Sequence, residues 1–135
     1  MRAEQLELED LSAAVAVWAN SGCDETATNL GAYFERILVG SASTAIGVRV
    51  RGDLVGVAIV GHDDHRGWIR NLVVVSAWER RGFGSELVAR AEDWLTASGA
   101  REIHMTVPHS DETSGLFERL RYDSEEVTQF TRWLG

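Results

Sequence analysis

The apolar run Leu72-Val73-Val74-Val75 is followed by Trp78-Glu79-Arg80-Arg81-Gly82-Phe83-Gly84-Ser85, and then by the helix-like stretch Glu86-Leu87-Val88-Ala89-Arg90-Ala91-Glu92-Asp93-Trp94-Leu95. Strand, basic glycine loop and helix in that order constrain the chain more than any other feature. Two glycines two apart allow a tight turn and let backbone N–H groups approach a ligand, because neither carries a Cβ. The helix that starts there aims its free N–H groups and the positive end of its dipole at the same spot. Arg80 and Arg81 add guanidinium groups that fork onto phosphate oxygens. Together these residues predict a phosphate-bearing ligand. Taken alone, the loop also reads as a plain helix-start turn with surface arginines. The dinucleotide pattern Gly-x-Gly-x-x-Gly and the P-loop Gly-Lys-Ser/Thr are both absent.

The rest of the chain narrows the choice. With 135 residues, 44% of them hydrophobic, one domain over residues 1–135 with a real core is expected. No apolar run is long enough to span a bilayer, and the first five residues lack the apolar stretch of a signal peptide, so a cytoplasmic location and no membrane partner are expected. The single cysteine, Cys23, excludes an internal disulfide and a multi-cysteine zinc site. A formal net charge of −8 argues against nucleic acid as a partner. An acidic body instead favours cationic small molecules such as amines.

The periodicity places a helix over 9–20, with Leu11, Ala14, Val15, Val17 and Trp18 inward, and a second ending near Gly40, with Leu30, Tyr33, Phe34, Ile37 and Leu38 inward and Thr28 or Asn29 as its cap. Residues 44–50, 54–60 and 68–75 read as an antiparallel meander. The helix over 82–98 should stop at Gly99. Residues 102–107 read as a short strand, and the long helix before it predicts that it lies parallel to its neighbour. A short helix over 112–120 and one or two strands over 122–134 complete the pattern. The class is α/β, with one mixed sheet.

Asp10-Leu11 at the first helix, Gly52-Asp53-Leu54-Val55-Gly56 at the hairpin, Arg80-Arg81-Gly82-Phe83-Gly84 at the loop and Leu116-Phe117-Glu118-Arg119-Leu120-Arg121-Tyr122 near the close resemble, in content and in order, the GNAT superfamily of acetyl-CoA-dependent N-acetyltransferases. His62-Asp63-Asp64-His65-Arg66-Gly67 and Met105-Thr106-Val107-Pro108 resemble the bacterial YpeA-type subgroup within it. The likeness covers nearly the whole chain and is strongest over 52–122. It implies a mixed, mostly antiparallel sheet flanked by helices, with a splayed parallel strand pair holding CoA. It implies acetyl-CoA as co-substrate and no metal, with the pantetheine arm along Leu72, Val73 and Val74. It implies the pyrophosphate on Arg80, Arg81, Gly82, Phe83, Gly84 and Ser85, and a wall at Phe117. A small-molecule or peptide amine would attack the thioester directly, helped by a backbone N–H near Val74.

Three positions depart from the family pattern. Glu79 stands where the resemblance implies Arg or Gln, Phe117 where it implies the tyrosine that protonates the departing thiolate, and Arg121 where it implies glycine. The family's asparagine is matched at best by Ser110. Phe117 has no proton to give, and Tyr122, five positions on, points to another helix face, so no catalytic residue is assigned. General acid help is worth about 10²–10⁴-fold, and positioning and electrostatics supply the rest. The chain therefore reads as an N-acetyltransferase, with a catalytically weak or inactive acyl-CoA-binding regulatory module as the alternative.

Other residues have weaker chemical readings. His62, Asp63, Asp64 and His65 have ligand chemistry but no third partner elsewhere, and read as a polar turn. His104 reads as a hydrogen-bonded strand residue rather than a base. Cys23 reads as a plain loop thiol. Trp18 and Trp94 read as core, and Trp133 as support for a homodimer through the last strand.

Overall fold

Residues 54–60 are apolar without alternation, and in the computed structural model the strand that contains them is covered on both faces. The structure describes residues 2–20, 27–106 and 112–135, with backbone alone for 27–29 and 112–114. The elements are β1 (Ala3–Gln5), a 3-10 turn (Leu8–Asp10), α1 (Leu11–Asn20), α2 (Ala27–Val39), β2 (Ser43–Val50), β3 (Asp53–Asp63), β4 (Arg66–Val74), α3 (Phe83–Ala97), β5 (Glu102–His104) and α4 (Glu112–Arg119). The strands form one sheet in the order β1-β2-β3-β4-β5. Neighbours are antiparallel except β4 and β5, which are parallel. This is the α/β mixed sheet that the sequence predicts.

Each face of the sheet has its own core. Leu54, Val57 and Ile59 of β3 pack with Trp18 of α1 and with Leu30, Phe34 and Ile37 of α2. Val55, Ala58 and Val60 turn the other way, toward Leu87, Val88, Ala91 and Leu95 of α3. A strand buried on both sides has no polar face to show, which is why its sequence lacks the period-two signature. Trp18 and Phe34 meet edge to face, with ring centroids 5.9 Å apart. α3 ends as predicted, with Gly99 in the left-handed region at φ 93.

The structure corrects several expectations. α2 starts at Ala27, so Thr28 and Asn29 lie inside its first turn rather than at its cap. β5 stops at His104, with Met105 and Thr106 outside it, and Val107 lies outside the described residues. The strands expected over 122–134 do not form: residues 122–135 have no regular structure. Strand-like composition needs an adjacent edge to pair with, and among the described residues this segment pairs with none. Cys23 and Ser110 also lie outside the described residues.

Candidate active site

β4 changes character along its length. Its first part pairs with β5, Arg66 with Glu102, Gly67 with Ile103 and Trp68 with His104. Beyond Trp68, among the described residues, only β3 remains beside it. The β3–β4 register then slips: Val57 faces Val73, but Ile59 faces Arg70. Two steps on β3 therefore match three on β4, a bulge that bends the strand. Asn71 sits there in the left-handed region at φ 53, a conformation asparagine tolerates better than most residues. The indole N–H of Trp18 donates to the Asn71 carbonyl at 2.8 Å, tying the bulge to α1.

The edge freed beyond the bulge faces a cleft of about 1330 Å³, larger than the ~300–1,000 Å³ of ordinary small-molecule pockets. Leu72, Val73, Val74, Val75 and Ser76 form one side, and Trp78, Glu79, Arg80, Gly82, Gly84 and Ser85 close the end. Ala13, Ala16, Val17 and Asn20 of α1 contribute another wall, Asp53 and Leu54 open β3 into it, and Leu116 and Arg119 reach it from α4.

The loop at the closed end leads into the start of α3. Arg80 is left-handed at φ 62 and Gly82 at φ 87. The left-handed backbone costs a residue with a Cβ about 1–2 kcal/mol, and such strain concentrates at functional sites. The first backbone bond of α3 runs from Glu86 N–H to the Gly82 carbonyl at 3.1 Å. The N–H groups of Phe83, Gly84 and Ser85 precede it, and no side chain caps the helix. They are the orphan donors of a helix start.

Seven of the ten residues expected to hold the ligand line this cleft: Leu72, Val73, Val74, Arg80, Gly82, Gly84 and Ser85. The other three are placed differently. The Arg81 guanidinium lies 4.9 Å from the centre of the Trp78 ring. Phe83 is buried and meets Trp78 edge to face at 5.9 Å, so its contribution toward the cleft is its backbone. Phe117 is 6% exposed, within the core beneath α3. Its ring lies 5.2 Å from that of Tyr122. The Tyr122 hydroxyl donates to Glu92 Oε2 at 2.7 Å. Burial first, and this bond second, hold the phenol well above its usual range. Tyr122 thus braces α3 and is not among the cleft's lining residues.

Sequence reasoning missed Arg119, Asp53 and the α1 wall. The only signal for the wall was the small or polar set Ala13, Ala16 and Asn20 at helical spacing, beside the stripe that forms the core.

A second cavity lies on the near side of the bulge, lined by Arg66, Trp68, Arg70, Asn71, His104 and Met105, among others. The Arg70 guanidinium stacks 3.9 Å from the centre of the Trp68 ring. Glu102 lies 3.1 Å from His104 Nε2 and 3.4 Å from Arg66 Nε. The hydrogen bond with His104 is the first cause holding the Glu102 carboxyl below its usual range. His104 is therefore a hydrogen-bonded strand residue. At the turn of the β3–β4 hairpin, the His62 ring lies 5.9 Å from that of Trp94, and His65 Nδ1 is 3.7 Å from Asp64. Among the described residues, no three His, Cys, Asp or Glu side chains gather as a metal site.

Comparison with known proteins places this geometry. The model of the acetyltransferase (GNAT) family matches residues 7–122. An acetyltransferase of Pectobacterium atrosepticum is 28% identical over 117 residues, covering 86% of this chain and 83% of that protein. An acetyltransferase of Yersinia pestis is 33% identical over 79 residues, 58% of this chain and 56% of the relative. Among solved structures, the aminoglycoside acetyltransferase AAC(6')-Iy in complex with the bisubstrate analogue CoA-S-monomethyl-acetylneamine superposes with a TM-score of 0.86 at 17% identity, over 98% of this chain and 97% of that one. A ribosomal-protein-alanine N-acetyltransferase from Brucella melitensis gives 0.80 at 19% identity, over 98% and 100%. These structural likenesses are likenesses of fold.

Proposed function

The chain belongs to the acetyltransferase (GNAT) family, and on that premise we propose that it transfers the acetyl group of acetyl-CoA to a primary amine by direct attack in a ternary complex. One observation carries this reading: the edge of β4 beyond the bulge, beside which no strand lies among the described residues, leads through the 3-10 turn Ser76–Trp78 to the start of α3, which no side chain caps. The edge offers backbone donors and acceptors to an extended, amide-bearing arm, as an added strand would. The helix start offers N–H groups, Arg80 and Arg81 to a pyrophosphate. Leu72, Val73 and Val74 would hold the pantetheine and residues 80–85 the pyrophosphate, with Phe117 supporting the wall from the core behind it.

At the thioester, a backbone N–H near Val74 would stabilise the developing oxyanion, and the Trp18 bond to the bulge would keep that strand in place. The proton leaving the amine and the one reaching the thiolate have no assigned carrier. Water suffices for the thiolate, since a thiol pKa is about 8.5. Phe117 also favours a second reading of the same site, a weak or inactive acyl-CoA-binding regulatory module. The single domain over 1–135, the YpeA-type subgroup, the cytoplasmic location, the homodimer and the absence of metal, membrane and nucleic-acid partners belong to the proposal too. The single cysteine and the acidic charge support it.

Thermal shift with acetyl-CoA tests the site. Saturation at ~100 times the dissociation constant adds about 2.7 kcal/mol of stability, and no shift overturns both readings. Thiol release over a panel of amines then separates enzyme from binder.

A further inference from the structure

The two arginines of the second cavity are held in different ways. Arg66 lies 3.4 Å from Glu102 and 3.4 Å from His104 Nε2, so its charge is already met. Arg70 has the Trp68 ring as its neighbour, and among the described residues no acid pairs with it. Asp63, the acid that lines the same cavity, faces Arg66 across the β3–β4 register, at the hairpin end. Arg70 and Asn71 stand at the other end, beside the bulge.

The ring holds the guanidinium in a way that leaves it usable. Trp68 and Arg70 are two apart on one strand and share a face of the sheet. Gly61 pairs with Trp68 in the register, and a Cβ there would fall 2.1 Å from the indole. The ring therefore lies flat over the glycine, with the guanidinium on it. Stacking engages the face of the guanidinium, whereas its N–H donors point out along its edge and are not consumed. A fork fixed in this way fits one carboxylate through two parallel bonds and loses little freedom in doing so. The cavity, about 610 Å³, has the size of a small-molecule site.

We propose that Arg70 determines acceptor specificity by binding a carboxylate carried on the same molecule as the reacting amine. This rests on the acetyl-transfer reading above, which sets the amine at the thioester near Val74. From Arg70 to Val74 is four residues of strand, shortened by the bulge, so amine and carboxylate stand about 10 Å apart. An α-amino acid, whose two groups share a carbon, cannot span that. A chain with a terminal amine and a distant carboxylate can, whether a free ω-amino acid or a short peptide. Such a zwitterion also suits the charge of the protein: the acidic body draws the protonated amine, and Arg70 balances the carboxylate that the same body would repel.

Matched pairs of acceptors test this with acetyl-CoA present, by thiol release and by titration calorimetry. The pairs are ω-aminooctanoate and its amide, triglycine and its amide, and γ-aminobutanoate and its amide. At least one of the two long acids should exceed its amide by about tenfold in kcat/KM and in affinity, and which of them does so separates free acid from peptide. The short acid should gain nothing in rate. Arg70→Gln should bring the acid-to-amide ratio to about one, Arg70→Lys should restore part of it, and Trp68→Leu, which removes the platform, should reduce it. Equal values for both long acids and their amides in the wild type overturn the proposal, as does a ratio that survives Arg70→Gln. If no amine is turned over, the calorimetric ratio decides alone. Absence of an acetyl-CoA thermal shift with the Arg70-dependent preference intact overturns the functional reading and leaves the carboxylate site standing.

Discussion

The two halves of β4 put the same kind of strand edge to opposite uses. From Arg66 to Trp68 the edge is spent on β5, and the neighbouring side chains Arg66, Glu102 and His104 bind one another. From the bulge to Val74 the edge faces a cleft. What separates them is one extra residue near Asn71, held by one indole. The change from paired edge to cleft comes at the bulge, which Trp18 of α1 ties down by one hydrogen bond.

Predictions that probe this contrast run from large effects to small. Trp18→Ala should cost about 3–5 kcal/mol of stability by cavity formation, measured by denaturant unfolding. Trp18→Phe keeps most of the packing but leaves the Asn71 carbonyl without its donor, a loss of about 1–3 kcal/mol. It should lower acetyl transfer more than acetyl-CoA affinity, and equal losses would break the link between bulge and chemistry.

In the open half, the double variant Arg80→Ala, Arg81→Ala should weaken acetyl-CoA binding by about 1.5–3 kcal/mol per charged hydrogen bond lost. Titration calorimetry at two salt concentrations checks this: the wild type should lose affinity with salt and the variant should lose much less. In the paired half, Gly61→Ala would set a Cβ 2.1 Å from the Trp68 ring. Overpacking of that kind costs about 1–3 kcal/mol, and acetyl-CoA affinity should stay unchanged if the two halves are separate in function. The smallest effect belongs to Glu102→Gln, which should lower the melting temperature at neutral pH only slightly, because exposed ion pairs contribute little. The sign of that small gap is set by the carboxylate, and acid should close it. A carboxyl held below its usual value stabilises the fold above the ordinary glutamate pKa of about 4.3, and that contribution disappears as pH falls through the lowered value. The wild type and Glu102→Gln should therefore converge in acid melts.

Much of the site was legible because its determinants are local. Gly82, Gly84, the flanking arginines and the α3 stripe are contiguous, and both the turn and the helix start follow from backbone sterics within a few residues. The parallel pairing of β4 with β5 followed from the length of the connection between them. The bulge was not legible. Asn71 is one polar residue in an apolar strand, and its partner Trp18 lies 53 positions away. Arg119 reads as an ordinary residue in a last helical turn until α4 is placed over the cleft. Residues 122–134 show the reverse failure: their composition promises strands, but a strand is a property of two segments, and the single chain supplies one.

Local chemistry in the sequence was enough to predict the order of elements as far as α4, the glycine loop ahead of α3, the acidic charge and the family resemblance, because each depends on neighbouring residues or on composition. The tertiary structure decided where β4 leaves β5, which faces of α1 and α4 line the cleft, that Phe117 and Tyr122 belong to the core beneath α3, and that residues 122–134 find no edge of their own. Each of those depends on contacts between segments far apart in the chain, whose geometry is set by packing rather than by the residues on either side.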